Sequence, residues 1–251
     1  MALSEVTHIT YTVSMRGKHE SVFVADYLQQ FFPNIPLNSI DSVFGFVERC
    51  SLYGGRAFKY PQLSDRDVHW LSDHNIGLRI PLTNHFVKRY EYDFYQSLLK
   101  KYHHPLNSII ITQDKLAQWI KTDFPHYTLE ASVIKNIDTL EKLEKAWSFF
   151  DTVVLPMPCN DDIDFLKSID QKNRIRLFAN AGCAYTCPSR ICYRSFSQMN
   201  KFVDDASPQC SIPLKEREAK GMIDFDLQPL IELGFRQFKL LRERAAAQTG
   251  F

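Results

Sequence analysis

Short apolar runs rich in β-branched residues alternate along this chain with longer amphipathic stretches. Eight such runs, at residues 8–13, 43–47, 77–82, 108–112, 128–133, 152–155, 174–179 and 235–240, read as strands. Between them, helical periodicity covers 20–30, 64–73, 91–102, 113–123, 139–150, 161–168 and 227–233. Helix-start signals agree: Ser64 precedes Asp65 and Asp67, Asp138 and Thr139 precede Glu141, and Asn160 precedes Asp161 and Asp162. Strand–helix alternation implies a parallel sheet, and eight units in 251 residues predict a (β/α)8 TIM-type barrel, regular or distorted. An open doubly wound sheet is the competing arrangement. No composition shift, low-complexity tract or longer repeat divides the chain, so residues 1–251 read as one domain. The longest stretch without periodicity runs from 180 to about 221, well beyond ordinary loop length, and loops of that size are usually functional or disordered.

Composition narrows the functional classes. With 45% hydrophobic residues the chain can bury a full core, and 30 Lys and Arg against 29 Asp and Glu leave a net charge of +1. That balance supplies no global field for DNA or an anionic membrane and argues mildly against unaided RNA binding. The stretch 239–244 is one candidate for a local basic patch, although such a run is more often a solvated helix face. No basic segment followed by an apolar h-region opens the sequence, and charges interrupt every hydrophobic run. A soluble, cytoplasmic protein without a membrane span is the expectation.

In a reducing compartment, closely spaced thiols point to metal rather than to disulfides. Four of the six cysteines, Cys183, Cys187, Cys192 and Cys210, fall in the long stretch after the seventh predicted strand; Cys50 follows the second and Cys159 the sixth. All six therefore lie past strand ends, where parallel barrels build their sites. Four thiolates suit structural Zn²⁺ or a [4Fe–4S] cluster. Zinc ribbons pair two tight knuckles, whereas here Cys210 has no close partner; irregular spacing fits a cubane better, with the remote Cys50 as a further candidate ligand. Cys159 reads more simply as a small buried hydrophobe.

Several segments resemble the peptidase U-32 (collagenase-like) family, most of all its iron–sulfur branch that supports oxygen-independent hydroxylation. DSVFGFVERCSLYGGR (41–56) is similar to the family's second strand and its following Arg, DHNIGLRIPLTN (73–84) to its third strand ending in Asn, PHYTLEASVIKNIDTLEKL (125–143) to its fifth, and LIELGFRQFKLLRER (230–244) to its closing segment. The resemblance implies a [4Fe–4S] cluster on Cys183, Cys187 and Cys210, with the fourth place open between Cys192 and Cys50. Two departures bear on reaction and substrate: Ala179–Asn180–Ala181 replaces the family's His–Gly–Ala, and Lys239–Leu240–Leu241–Arg242–Glu243 replaces Lys–Ile–Glu–Gly–Arg.

Polar groups at strand ends complete the candidate set. Arg56, beside Gly54–Gly55, suits bidentate grip of a carboxylate or phosphate. Asn84 and Lys239 join it as substrate-holding candidates, with His85, Glu130, Ser132 and Asn180 behind them; a Glu130–Lys239 salt bridge is the plainer reading of that pair. No H-E-x-x-H, G-x-S-x-G or Cys/His nucleophile pattern occurs, so proteolysis is not expected. The leading expectation is a [4Fe–4S] protein acting on a small anionic molecule or, less directly, on RNA. The alternative is an accessory protein that binds a protein partner and in which Zn²⁺ or a cluster only staples the long loop.

Overall fold

The computed structural model describes residues 8–202, 206–213, 215–216 and 221–242. Eight parallel strands close into a barrel: β1 (Thr10–Ser14), β2 (Ile40–Phe44), β3 (Gly77–Leu82), β4 (Ser108–Ile111), β5 (Thr128–Ala131), β6 (Thr152–Val154), β7 (Ile175–Phe178) and β10 (Gln237–Leu240). Each pairs with its sequence neighbour, and β10 fills the gap between β7 and β1. The closed ring excludes the open doubly wound sheet. Helices α1 (Val24–Phe31), α2 (Asp65–Asp73), α3 (Arg89–Phe94), α4 (Gln96–Lys101), α5 (Asp114–Asp123), α6 (Leu140–Trp147), α7 (Ile163–Lys167), α8 (Cys192–Met199) and α9 (Gln228–Glu232) fall between the strands. None of the described helices is long and apolar enough to cross a membrane.

The capping signals act as expected for α2, where Ser64 and Asp67 form a capping box, and for α6, where Thr139 accepts from the Lys142 N–H. At α7 the cap is Asp162, while Asn160 turns inward and donates to the Phe178 carbonyl at 2.8 Å. Three other expectations change. The stretch 91–102 is two helices broken at Tyr95. The stretch after β7 is not structureless, because it contains α8 and a two-stranded ladder of β8 (Asn180–Ala181) against β9 (Ile223–Asp224). Strand β2 lies three residues earlier than its apolar run suggested, because Asp41 and Ser42 turn into the barrel.

That inward turn reveals how the core is divided. Val13, Val43, Leu78, Ile80, Ile109, Ile111, Leu129, Val153 and Leu177 are buried in the apolar shell between sheet and helices. The lumen is ionic instead. Glu130, with no exposure to solvent, accepts from Arg79 at 2.9 Å and from Arg176 at 3.2 Å, both through Oε2. Both guanidinium groups also reach Asp41, at 3.1 and 3.0 Å, and Arg79 Nε donates to Ser42 Oγ at 2.6 Å. Burial raises the Glu130 and Asp41 carboxyls, but the facing cations hold both below the ordinary range. Lys239 Nζ stands 3.8 Å from Glu130 Oε1.

Three cations thus share two carboxylates in the lumen, and among the described residues Glu130 is the only anion that faces all three. Removing one partner of a buried ionic group typically costs about 3–5 kcal/mol. Glu130→Gln is expected to lower unfolding stability by about that much, read as a lower midpoint in urea denaturation; a loss under about 1 kcal/mol would show that the lumen does not depend on it.

Candidate functional site

Above this ionic layer, at the carboxyl ends of the strands, the barrel opens into a cavity of about 810 Å³, its solvent-open mouth included. Its apolar wall is built from Phe44, Pro81, Ile110, Met157 and Phe178, with Tyr193 and Met222 contributed by the excursion after β7. Four cationic side chains, Arg16, Arg56, Lys239 and Arg242, line it, and none of the described lining residues is Asp, Glu, His or Cys. A low-dielectric wall studded with one sign of charge attracts an anion carrying an apolar body.

The loop after β2 delivers Arg56. A Cβ on Gly54 would lie 2.3 Å from the Thr83 carbonyl oxygen, so only glycine lets the loop lie against the end of β3; Gly55 follows with φ +75°. Arg56 then packs over the Phe46 ring at 4.5 Å and donates to Gln62 Oε1 at 2.6 Å. Asn84 does not line the cavity. Fully buried, its amide nitrogen lies 2.8, 2.9 and 2.8 Å from the carbonyls of Ser51, Tyr53 and Ser197, so it joins the β2 loop to α8 as a positioning residue rather than a substrate contact. Asn200 does the same, donating to the Tyr53 and Arg56 carbonyls and accepting from the Phe58 N–H. His85 is also committed, to Ser197 Oγ at 3.0 Å, and burial together with Arg194 lowers its pKa.

Arg242 arrives from the other side, stacked on Phe31 at 3.8 Å. Asn180 fixes the chain there: its side chain exchanges two hydrogen bonds with the Leu241 backbone, at 2.9 and 2.8 Å, just past Lys239. Lys239 is buried, lies over Phe44 at 4.3 Å, and has its pKa brought down to about 8. Burial is the largest cause, Glu130 opposes it, and Arg176, Arg79 and Arg56 add to it. Ser132 lines the cavity as well. Sequence reading had not singled out Arg16 or Tyr193 and knew Arg242 only as part of a basic stretch, whose last two residues lie outside those described. Arg16–Gly17 after β1 parallels Gly55–Arg56 after β2, and that echo was the available signal.

The cysteines separate into groups. Burial pushes the Cys192 thiol up to about 12, and Cys183, Cys187 and Cys210 are its next electrostatic neighbours. Cys192 opens α8, and Ser195 on that helix bonds both the Cys192 carbonyl and the Gln209 N–H, which brings the Cys210 segment alongside. Cys187 accepts from the Arg190 N–H at 3.3 Å and meets Ser211 Oγ at 3.5 Å, while Cys210 accepts from the Ile212 N–H at 3.4 Å. Against burial, the Ser211 hydroxyl, the N–H groups of Arg190 and Ser189 and the Arg190 charge hold Cys187 below the ordinary thiol value. Cys50 stands apart: fully buried, its electrostatic neighbours are Glu91, Lys201 and Glu48, and burial raises it strongly. Cys159 is likewise separate, beside Asp138 and Asp162.

Among the described residues, no three His, Cys, Asp or Glu side chains are gathered into a ligand set for a metal ion. The four thiols are a looser group, but their chemistry fits a thiophilic guest. Cys187 accepts a backbone N–H bond of the kind that stabilises a thiolate, and mutual repulsion weighs on the thiolate of Cys192, which a bound cationic centre would relieve. Tyr193, next in sequence, lines the cavity while Cys192, Cys183 and Cys187 lie in its electrostatic surroundings, so it adjoins both features.

No protein-family model matches the chain, and no curated protein resembles it in sequence. Its fold is similar to that of a solved structure, the U32 peptidase Mk0906, at a TM-score of 0.65 and 13% identity over 97% of this chain and 96% of that one. The barrel is therefore of the U32 type in architecture.

A charged Lys239 adds to the attraction for an anion, and its loss subtracts from it. Binding of propionate, a test anion with no carbonyl group, followed by calorimetry, is expected to weaken as pH rises through about 8 and to show no such step in Lys239→Met. Equal affinity across the range from about pH 6.5 to 9.5 in the unaltered protein would contradict this.

Proposed function

We propose that this protein is a cytoplasmic iron–sulfur protein of the U32 type, in which Cys183, Cys187, Cys192 and Cys210 hold a [4Fe–4S] cluster beside a cavity for a small anionic molecule. The observation that carries this reading is that the Cys192 thiol has the other three as neighbours, one residue from the cavity-lining Tyr193. Cys192 rather than Cys50 takes the fourth place, since Cys50, in the loop after β2, is fully buried among Glu91, Lys201 and Glu48. When bound, such a cluster supplies one-electron transfer, and an oxygen-independent hydroxylation is the reaction we assign to the site.

The chain's own residues bind and orient. Arg16, Arg56 and Arg242 grip the anionic group at the rim, Lys239 adds charge at the end of β10, and the apolar wall excludes water from the rest of the molecule. Tyr193 is the side chain that adjoins both substrate and thiols. RNA is less well suited, since the cavity is bounded and the net charge is +1. Proteolysis has no support in a cavity whose described lining holds no histidine, cysteine or carboxylate to activate a nucleophile.

Anaerobic purification and reconstitution, with iron, sulfide and visible absorbance measured, test the cluster. Iron and sulfide are expected in the unaltered protein, in Cys50→Ala and in Cys159→Ala, with most of both lost in Cys192→Ala. Colourless protein lacking both elements, or a cluster that survives Cys192→Ala but not Cys50→Ala, would overturn the ligand set. Stoichiometric zinc with unchanged turnover in Cys187→Ser would favour a structural staple instead.

A further inference from the structure

Among the described residues, Lys239 differs from three other covered lysines, one buried and two half-buried, in making no hydrogen bond through its amine. Lys18 Nζ lies 2.7 Å from Asp67 Oδ2 and 2.9 Å from the Gln62 carbonyl, Lys201 Nζ reaches both oxygens of Glu91 at 2.7 and 2.8 Å, and Lys135 Nζ stands 2.6 Å from Asp114. Lys239 Nζ has only Glu130 Oε1, at 3.8 Å, beyond hydrogen-bond reach. Glu130 is already engaged through its other oxygen by Arg79 and Arg176, and Oε1 has no hydrogen bond of its own. An amine held at the end of a barrel strand without a hydrogen bond, and opening into a cavity lined by three arginines, is placed like a nucleophile rather than a structural cation.

We propose that Lys239 forms a covalent imine with a 2-oxo acid bound in the cavity. Carboxylate capture by Arg56, Arg16 and Arg242 would leave the adjacent carbonyl carbon over the amine and the apolar tail against Phe44 and Phe178. The ammonium releases its proton to water at the open mouth. Its lone pair attacks the carbonyl carbon, forming the C–N bond as the C=O π pair moves to oxygen. Nitrogen passes its second proton to that oxygen, which takes another from water and leaves as a water molecule, while the third proton stays on nitrogen as iminium or is released to give the neutral imine; no oxidant or reductant is consumed. Glu130 Oε1 faces the positive iminium. Burial, with the nearby guanidinium groups adding to it, lowers the amine's basicity and keeps a working fraction of it neutral near physiological pH.

The inference rests on the anion-binding reading of the cavity but not on a cluster at the thiols. Its test is borohydride trapping on the full chain with pyruvate and with 4-methyl-2-oxopentanoate, followed by intact-mass and peptide mapping. One reduced adduct on Lys239 is expected with each acid, with labelling about tenfold slower in Arg56→Met, the size of one lost charged hydrogen bond. The uncharged 4-methylpentan-2-one is expected to label at least about tenfold more slowly for the same reason. Labelling spread over surface lysines, or pyruvate bound by calorimetry without an adduct, would overturn the imine; equal labelling by the neutral ketone would overturn the substrate class. Lys239→Arg should abolish the adduct, and because the site is mapped in the unaltered protein, the assignment does not hang on that variant folding.

Discussion

A single buried carboxylate organises this barrel. Among the described residues, Glu130, on β5, is the only anion that faces Arg79, Arg176 and Lys239 at once, from three other strands of the closed ring. Barrels of this class usually fill the lumen with layers of branched apolar side chains. Here the apolar packing sits outside, between sheet and helices, and the lumen is held by charge. Two carboxylates face three cations, and Lys239 is the one of the three that also lines the cavity. The ionic core thereby does more than hold strands together, since through Lys239 it adds to the positive charge that Arg16, Arg56 and Arg242 bring to the cavity above it.

The mouth is assembled by backbone-directed amides. Asn84 and Asn200 fasten the β2 loop to α8, and Asn180 fastens the end of β10 to the start of the excursion. Those three residues tie Arg56, the thiol-bearing segment and Lys239 into one hydrogen-bonded frame that carries both the cationic cavity and the thiol group. Gly54 contributes by what it lacks: any side chain there would meet the Thr83 carbonyl and push Arg56 out of the mouth.

Much of this was readable from the chain. Period and length located seven of the eight barrel strands within about two residues. The exception, β2, was displaced because Asp41 and Ser42 look like loop residues until the lumen is known to be polar. The same assumption hid the ionic layer. Arg79, Glu130 and Arg176 sit in the middle of apolar runs, and three charges interrupting three strands were the visible sign of it. Arg56 and Lys239 were found because they follow strands, which is where a parallel barrel builds its site. Asn84 was found by the same rule and has a different task, because position past a strand says nothing about whether an amide is spent on backbone carbonyls. The cysteines could be gathered but not sorted by spacing alone: Cys50 and Cys192 both follow strands, and only the packing of the loop after β2 shows that Cys50 is the fully buried one.

Iron K-edge X-ray absorption on the anaerobically purified full chain addresses the central claim most directly, that a sulfur-held iron cluster lies beside the cationic cavity. The account expects a first shell of sulfur and a short iron–iron vector, both unchanged in Cys50→Ala. A shell dominated by nitrogen and oxygen, or a solitary iron with no iron neighbour, would contradict it.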